Sequence, residues 1–538
     1  MSVLAIDAGT TGVTALVVSS GGAVIGRGYQ EFRQYYPQPG WVEHLPEGIW
    51  QATLAACSGA LASAGREGTG RDGPEPDPVS CIGITNQRET AVVWDASTLA
   101  APRRAIVWQD RRTARLCARL RERGFEPRVA AVTGLRLDPY FTATKLTWLA
   151  DSEPAVWAGV TDGSLAVGTV DSYLIARMTG GRRHVTDASN ASRTLLFDIE
   201  AGQWSAEMCD LFRVPPHALP EVVPSSAVVG HTDPAAFPGP ALPIAGIAGD
   251  QQAAMFGQAC FSPGSAKCTY GTGSFVLRNT GTSVVRSPGG LLSTVAWMDS
   301  SGTLTYALEG SVFVTGAAVQ WLRDGLGLLD NAAQSEALAR SVPDSGGIVF
   351  VPALTGLGAP YWDPDARGAV FGLTRGTTRA HFVRAALEAI AFEVRDVADL
   401  MAAETAVAEH PAPAAGPPAI GDPAPAAAPP ATRDPAPAAA LRVDGGASAN
   451  NLLMQVQADQ LQLPVERPVI AETTALGAAF LAGLATEVWS SAAELEATWR
   501  LDRRFSPGPR DESAYASWRE AVQRSRAWAR AAAEPGGR

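Results

Sequence analysis

Two short stretches far apart in the chain carry the same design, and that repetition constrains the fold more than any other feature. Residues 3–18, VLAIDAGTTGVTALVV, are two apolar, β-branched runs around Asp7-Ala8-Gly9-Thr10-Thr11-Gly12, the pattern of a strand–turn–strand hairpin. Residues 266–279, AKCTYGTGSFVLRN, repeat it around Tyr270-Gly271-Thr272-Gly273-Ser274, about halfway along. Glycines let a backbone close around an anion, and threonine hydroxyls and successive amides donate to phosphate oxygens. An aspartate at a strand end can hold a magnesium ion. Either hairpin alone is equally well read as a plain turn. Two of them, one opening each half, are what a duplicated ATP-binding fold needs, with phosphate contacts from both sides. The expectation is an α/β protein of two similar lobes closing on a nucleotide.

At 538 residues the chain is too long for one hydrophobic core. Its 43 Lys and Arg against 54 Asp and Glu give a formal net charge of -11, which repels phosphodiester backbones and argues against a nucleic-acid partner. The start, MSVLAID, lacks a basic region followed by an apolar one, and no apolar stretch is long enough to span a bilayer. A cytoplasmic protein with no membrane insertion is expected. The six cysteines are scattered without CxxC spacing, which favours buried reduced thiols over a zinc site.

Several strand ends carry polar or charged residues, and the carboxyl ends of buried strands are where open α/β sheets place ligands. Residues 79–85, VSCIGIT, run into Asn86-Gln87-Arg88-Glu89-Thr90. Residues 105–113, AIVWQDRRT, repeat the design with Trp108. An indole beside polar groups suits a polyol, which has a carbon edge and a hydroxyl edge. A core tryptophan before a capped helix is the other reading of Trp108. Residues 133–150 place Tyr140 in a loop before a helix that starts near Thr142 or Thr144. Residues 242–248 form a strand ending at Gly249-Asp250-Gln251. Asp250 either caps the following helix or points into the crevice as a general base.

Further along, residues 306–321 read as a strand end and a helix carrying Gly316 and Gln320, and residues 379–403 as an amphipathic helix. Residues 441–451, LRVDGGASANN, read as a strand and a glycine pair opening a helix. An adenine or ribose can lie on such bare backbone, although an ordinary strand-to-helix turn reads the same way. Residues 65–78 are a polar linker, 474–484 an alanine-rich helix, and 515–533 a tryptophan-bearing helix. Residues 406–440 are mostly alanine and proline and cannot bury enough surface to order themselves, so a disordered or polyproline-like insert is expected there.

The chain resembles the FGGY carbohydrate kinases over nearly its whole length, and within them the branch that acts on glycerol. The motifs are NQRET at 86–90, IVWQDRRT at 106–113, DPYF at 138–141, GIAGDQQAA at 246–254, YGTGSF at 270–275, GLGAPYWDP ending at Pro364, GAVFGLTRG at 368–376 and VDGGASANN at 443–451. The resemblance implies two actin-like (ribonuclease H-like) lobes with a nucleotide and substrate cleft between them. Residues 1–249 would form the N-terminal lobe, mainly polyol-binding, and 250–538 the C-terminal lobe, mainly ATP-binding, with the 406–440 insert inside it. The implied reaction is ATP-dependent phosphorylation of glycerol to sn-glycerol 3-phosphate with Mg2+.

Position by position, the family implies that Arg88, Glu89, Tyr140, Asp250 and Gln251 bind the glycerol hydroxyls, while Trp108 and Phe275 wall the carbon side. Asp250 would take the proton of the attacking hydroxyl. Asp7 would hold magnesium, directly or through water, and Thr10, Thr11, Gly271, Thr272, Gly316, Gln320, Gly446 and Asn450 would contact ATP. A homodimer or homotetramer is implied as well. Two departures stand out. Gly12-Val13-Thr14 replaces the family's usual Ser-Ser-Arg, removing an arginine near the phosphates. Residues 232–242, TDPAAFPGPAL, lack the Gly/Arg-rich character that accompanies fructose 1,6-bisphosphate inhibition in bacterial relatives, so that control is not expected. The alternatives are an FGGY kinase for another polyol or sugar, and a non-catalytic ATP-binding protein of the actin or heat-shock chaperone type. The second has no use for Arg88, Glu89, Trp108 and Asp250 together.

Overall fold

The repeat in the sequence is a repeat of sheet topology. The computed structural model describes residues 1–67, 77–409 and 440–529. Its first sheet contains β1 (Ser2–Ala8), β2 (Gly12–Ser19), β3 (Val24–Glu31), β4 (Val79–Asn86), β5 (Ser226–His231) and β6 (Pro243–Gly249), in the order β5-β6-β4-β1-β2-β3. The second contains β7 (Ala266–Tyr270), β8 (Ser274–Gly281), β9 (Leu292–Met298), β10 (Leu304–Val312), β11 (Leu441–Asp444), β12 (Val465–Pro468) and β13 (Leu501–Phe505), in the order β9-β10-β8-β7-β11-β12-β13.

Each sheet has three antiparallel strands that begin with a glycine hairpin, β1-β2-β3 in one and β7-β8-β10 in the other, where β9 lies beyond β10. Each continues through two parallel strands, β4 beside β1 and β6 beside β4 in the first, β11 beside β7 and β12 beside β11 in the second. An antiparallel strand, β5 or β13, borders the second of these parallel strands. The sequence explains the layering. Central β1 and β2 are near-continuous apolar runs buried on both faces, whereas β3, at the sheet edge, exposes Arg27 and Tyr29.

The helices that position the site are α1 (Pro46–Glu67), α2 (Thr142–Ser152), α3 (Asp250–Gly257), α4 (Gly316–Asp324), α5 (Arg379–Glu409), α6 (Asn451–Leu461) and α7 (Thr473–Ala485). Helix α1 covers β2 and β3, and α5 and α6 pack together under the second sheet. Helix α7, although it follows the second sheet's parallel strands in sequence, returns to lie on the first sheet. A Cβ on Gly83 of β4 would sit 2.0 Å from the Ala478 carbonyl oxygen of α7. The same helix crosses α3 in backbone contact: a Cβ on Gly477 would sit 1.8 Å from the Ala253 carbonyl oxygen, and one on Gly257 2.0 Å from that of Thr473. The two halves of the sequence are therefore joined by a helix crossing that glycine alone permits.

Helix α5 runs on to Glu409 because no proline interrupts it before Pro411, so the alanine- and proline-rich stretch begins later than residue 406. Residues 410–439 of that stretch, residues 68–76 of the linker and residues 530–533 of the last expected helix lie outside the described residues. The described part of that helix is Glu512–Ser525. All six cysteines are free and buried. Among the described residues no helix is long and apolar enough to cross a membrane.

Candidate active site

Parallel strands β1, β4 and β6 end level with one another, Ala8 opposite Asn86 and Asn86 opposite Gly249. Their carboxyl ends deliver Asp7, Arg88 with Glu89, and Asp250 to one crevice. Asp250 is not the cap of α3; Gly249 occupies that position and Asp250 is the first helical residue. Its carboxylate accepts from the Gln251 amide at 2.7 Å and meets Arg88 Nε at 3.1 Å. Gly249 makes this possible, since a Cβ there would lie 2.7 Å from Arg88 Cδ. Burial raises the Asp250 pKa, and Arg88 and then Lys267 offset part of that rise. Burial and the charge of Asp250 push Asp7 up to about 7. Two carboxylates thus act on each other across the crevice floor.

Both Nη groups of Arg88 are fully committed to hydrogen bonds, and Nε is ion-paired. Nη1 donates to Glu309 Oε2 at 2.6 Å and to Gln252 Oε1 at 3.1 Å; Nη2 donates to Glu309 Oε1 at 3.0 Å and to the Tyr140 hydroxyl at 3.3 Å; Nε faces Asp250. Glu89 stands at φ 61°, the left-handed region, which costs a residue with a Cβ about 1 kcal/mol or more. Its carbonyl accepts the Thr142 hydroxyl at 3.1 Å, and its carboxylate accepts Arg193 Nε at 2.8 Å. That anchoring holds the strained backbone in place.

Around these ions stand three rings. Trp108 packs edge-on against Tyr140 at 5.6 Å and Phe275 at 6.4 Å, and the Arg88 guanidinium lies 5.8 Å from the Phe275 centroid. Trp108 is only partly buried, so it is not a core tryptophan; with Phe275, Phe313 and Thr272 it lines a cavity of about 780 Å³. Its indole N–H reaches Thr10 at 2.9 Å, whereas Thr11 is exposed at the hairpin tip. Gln251 lies beside the ions but turns its side-chain carbonyl to the buried Lys267 ammonium, 2.5 Å away.

A second cavity of about 510 Å³ brings together Gly271, Thr272, Gly316, Gln320, Gly446 and Asn450. These are the six residues of the chain's second half expected to contact a nucleotide. Local geometry explains the bare backbone: Gly316 donates to the Gly271 carbonyl at 3.0 Å, and Asn450 caps α6 by accepting from the Leu453 amide at 3.0 Å. Thr272 lines both cavities, so the second hairpin is their shared wall.

The N-terminal domain of the FGGY family of carbohydrate kinases matches residues 2–257, and its C-terminal domain matches residues 266–486. The chain belongs to the FGGY carbohydrate kinases. It is similar to a glycerol kinase of Symbiobacterium thermophilum, 53% identical over 530 residues, 98% of this chain and 99% of that one. To glycerol kinase 2 of Thermotoga maritima it is 49% identical over 529 residues, again 98% and 99% of the two chains. Its fold resembles the crystal structure of Plasmodium falciparum glycerol kinase with ADP, with a TM-score of 0.82, 32% identity, and 97% and 98% of the chains covered.

The donor set of this FGGY kinase fits magnesium. Among the described residues no group of three or more His, Cys, Asp and Glu side chains forms a metal cage. Asp7 with Asp250 nearby suits Mg2+, which takes one or two carboxylates and completes its shell with water and substrate phosphates. The structure also adds two residues that reading the sequence of this FGGY kinase missed. Glu309 sits within the buried stretch of β10, and Arg193 follows the polar run 184–192; both are entirely buried. Burial would raise Glu309, yet Arg193 and Arg88 hold it down to about 2. The available signal for Glu309 was a charge amid a buried strand, which must find partners.

Proposed function

We propose that this kinase phosphorylates glycerol with ATP to give sn-glycerol 3-phosphate. One observation carries the reading: the Arg88–Asp250 pair lies against Tyr140, Trp108 and Phe275, and the last two of these rings line a cavity that shares Thr272 with the glycine-lined one. In it, Glu89 and Asp250 accept from polyol hydroxyls, Arg88 exchanges its long bond to Tyr140 for one to a hydroxyl, and Trp108 and Phe275 cover the carbon edge. Asp250, its pKa raised by burial, takes the proton of the attacking hydroxyl as the new P–O bond forms and ADP leaves. Phosphoryl transfer depends mostly on positioning the nucleophile in line with the γ-phosphate. Closure of the lobes about the α3–α7 crossing supplies that and excludes water. Asp7 holds Mg2+, directly or through water, and the ion when bound neutralises charge on the triphosphate. Thr14 stands opposite Asp7 on β2, so phosphate contacts on that rim come from the hairpin's amides and hydroxyls.

A second reading, another polyol or ketose as substrate, is favoured by the size of the Trp108 cavity, about 780 Å³. A coupled assay of ADP formation over glycerol, dihydroxyacetone, erythritol and xylulose decides between them. Glycerol is expected to be turned over best; no activity on glycerol, with turnover of another member, removes the first reading.

A further inference from the structure

The reaction as derived leaves Glu309 and Arg193 without a task, although both lie directly behind the residues that read the polyol. We infer that Glu309 and Arg193 are positioning residues that fix Arg88 and Glu89 for recognition of the polyol hydroxyls. The inference rests on the glycerol kinase reading and deepens it.

The groups form one chain of alternating charge. Glu89 accepts from Arg193 Nε at 2.8 Å, Arg193 Nη2 donates to Glu309 Oε1 at 2.9 Å, Glu309 takes both Nη groups of Arg88 at 2.6 and 3.0 Å, and Arg88 Nε faces Asp250 at 3.1 Å. Arg88, Glu89, Arg193 and Glu309 are each 2% exposed or less. Ions so buried are tolerated only where each meets its partners, so the chain admits few arrangements. The bidentate grip of Glu309 sets the plane of the Arg88 guanidinium. With its Nη groups held from behind, Arg88 has left for a ligand only its bond to Tyr140, the longest at 3.3 Å, and its edge toward Asp250. Arg193 in turn occupies Glu89 Oε1, leaving Oε2 to accept a hydroxyl.

Position in the fold supports the same role. Arg88 and Glu89 follow β4 of the first sheet, whereas Glu309 belongs to β10 of the second. The polyol-reading pair is therefore aligned by the opposite sheet, while the glycine-lined cavity contains neither Glu309 nor Arg193. A lost positioning contact should weaken glycerol recognition and spare ATP.

The test is steady-state kinetics of the wild type, Glu309→Gln and Arg193→Lys with glycerol and ATP varied separately, with thermal melting of each protein. Glu309→Gln removes the charge at constant shape; Arg193→Lys keeps the charge and loses the fork, and serves if the first variant does not fold. The expected result is a roughly ten-fold or larger rise in the KM for glycerol with the KM for ATP changed less than about two-fold, and a smaller effect in Arg193→Lys. A folded variant whose KM for glycerol is unchanged, or whose two KM values rise together, overturns the positioning role while the wild type remains a glycerol kinase. A wild type inactive on glycerol overturns the underlying reading and this inference with it.

Discussion

Trp108 donates its indole N–H to the Thr10 hydroxyl at 2.9 Å, and its ring meets Phe275 edge-on at 6.4 Å. Thr10 belongs to the first glycine hairpin and Phe275 follows the turn of the second. One side chain therefore joins the wall of the cavity of about 780 Å³ to both hairpins. Trp108→Phe keeps an apolar wall and loses the bond, worth about 0.5–1.5 kcal/mol. The KM values for glycerol and ATP are both expected to rise, by roughly two- to ten-fold, in steady-state kinetics. A change confined to glycerol would show that the bond to Thr10 does not couple the two cavities.

The helix crossing gives a prediction whose sign opposes helix propensity. Within a helix, Gly→Ala ordinarily stabilises by about 1 kcal/mol. At Gly477 the new methyl would sit 1.8 Å from the Ala253 carbonyl oxygen, so α3 and α7 must part. Gly477→Ala is expected to lower stability by about 1–3 kcal/mol, measured by denaturant unfolding, and to lower kcat because Asp250 opens α3. A stabilised, fully active variant would mean that the crossing yields freely.

His44 sets a pH dependence of stability. It is buried, packs edge-on against Phe32 at 5.0 Å, and faces Gln87 Nε2 at 3.3 Å; Gln87 in turn donates to the Gly9 carbonyl of the first hairpin at 2.9 Å. Burial lowers its pKa from 6.5 to about 4. The unfolded chain therefore binds a proton below pH 6.5 that the folded protein accepts only near 4. This contribution is fully present above pH 6.5 and is lost as pH falls toward 4, by about 3 kcal/mol in all. His44→Gln is expected to lose less Tm than the wild type between pH 7 and about 4.5. Parallel Tm–pH curves would exclude His44 as the source.

Much of the site was legible because strand ends announce themselves locally. A buried apolar run followed by small or charged residues marks where a strand stops, and that pattern singled out Asp7, Arg88 and Asp250; the six residues now found around one glycine-lined cavity came from the family resemblance. Whether Asp250 caps a helix or faces the crevice was not legible; it took the position of Gly249 at the cap to decide it. Glu309 was missed because its meaning lies in a partner 221 residues away. The alanine-rich pattern of α7 shows a helix buried all round without saying which sheet covers it, and only the approach of Ala478 to Gly83 assigns it to the first.

The most direct test compares glycerol phosphorylation by the wild type and by Asp250→Asn under saturating ATP and Mg2+, with ATP binding to both followed by calorimetry. The wild type should turn glycerol over. The variant should lose roughly 10²–10⁴-fold in kcat, the range of a positioned general base, while binding ATP within about two-fold of the wild type. Near-wild-type turnover of glycerol by Asp250→Asn would contradict the assignment of Asp250 as the base.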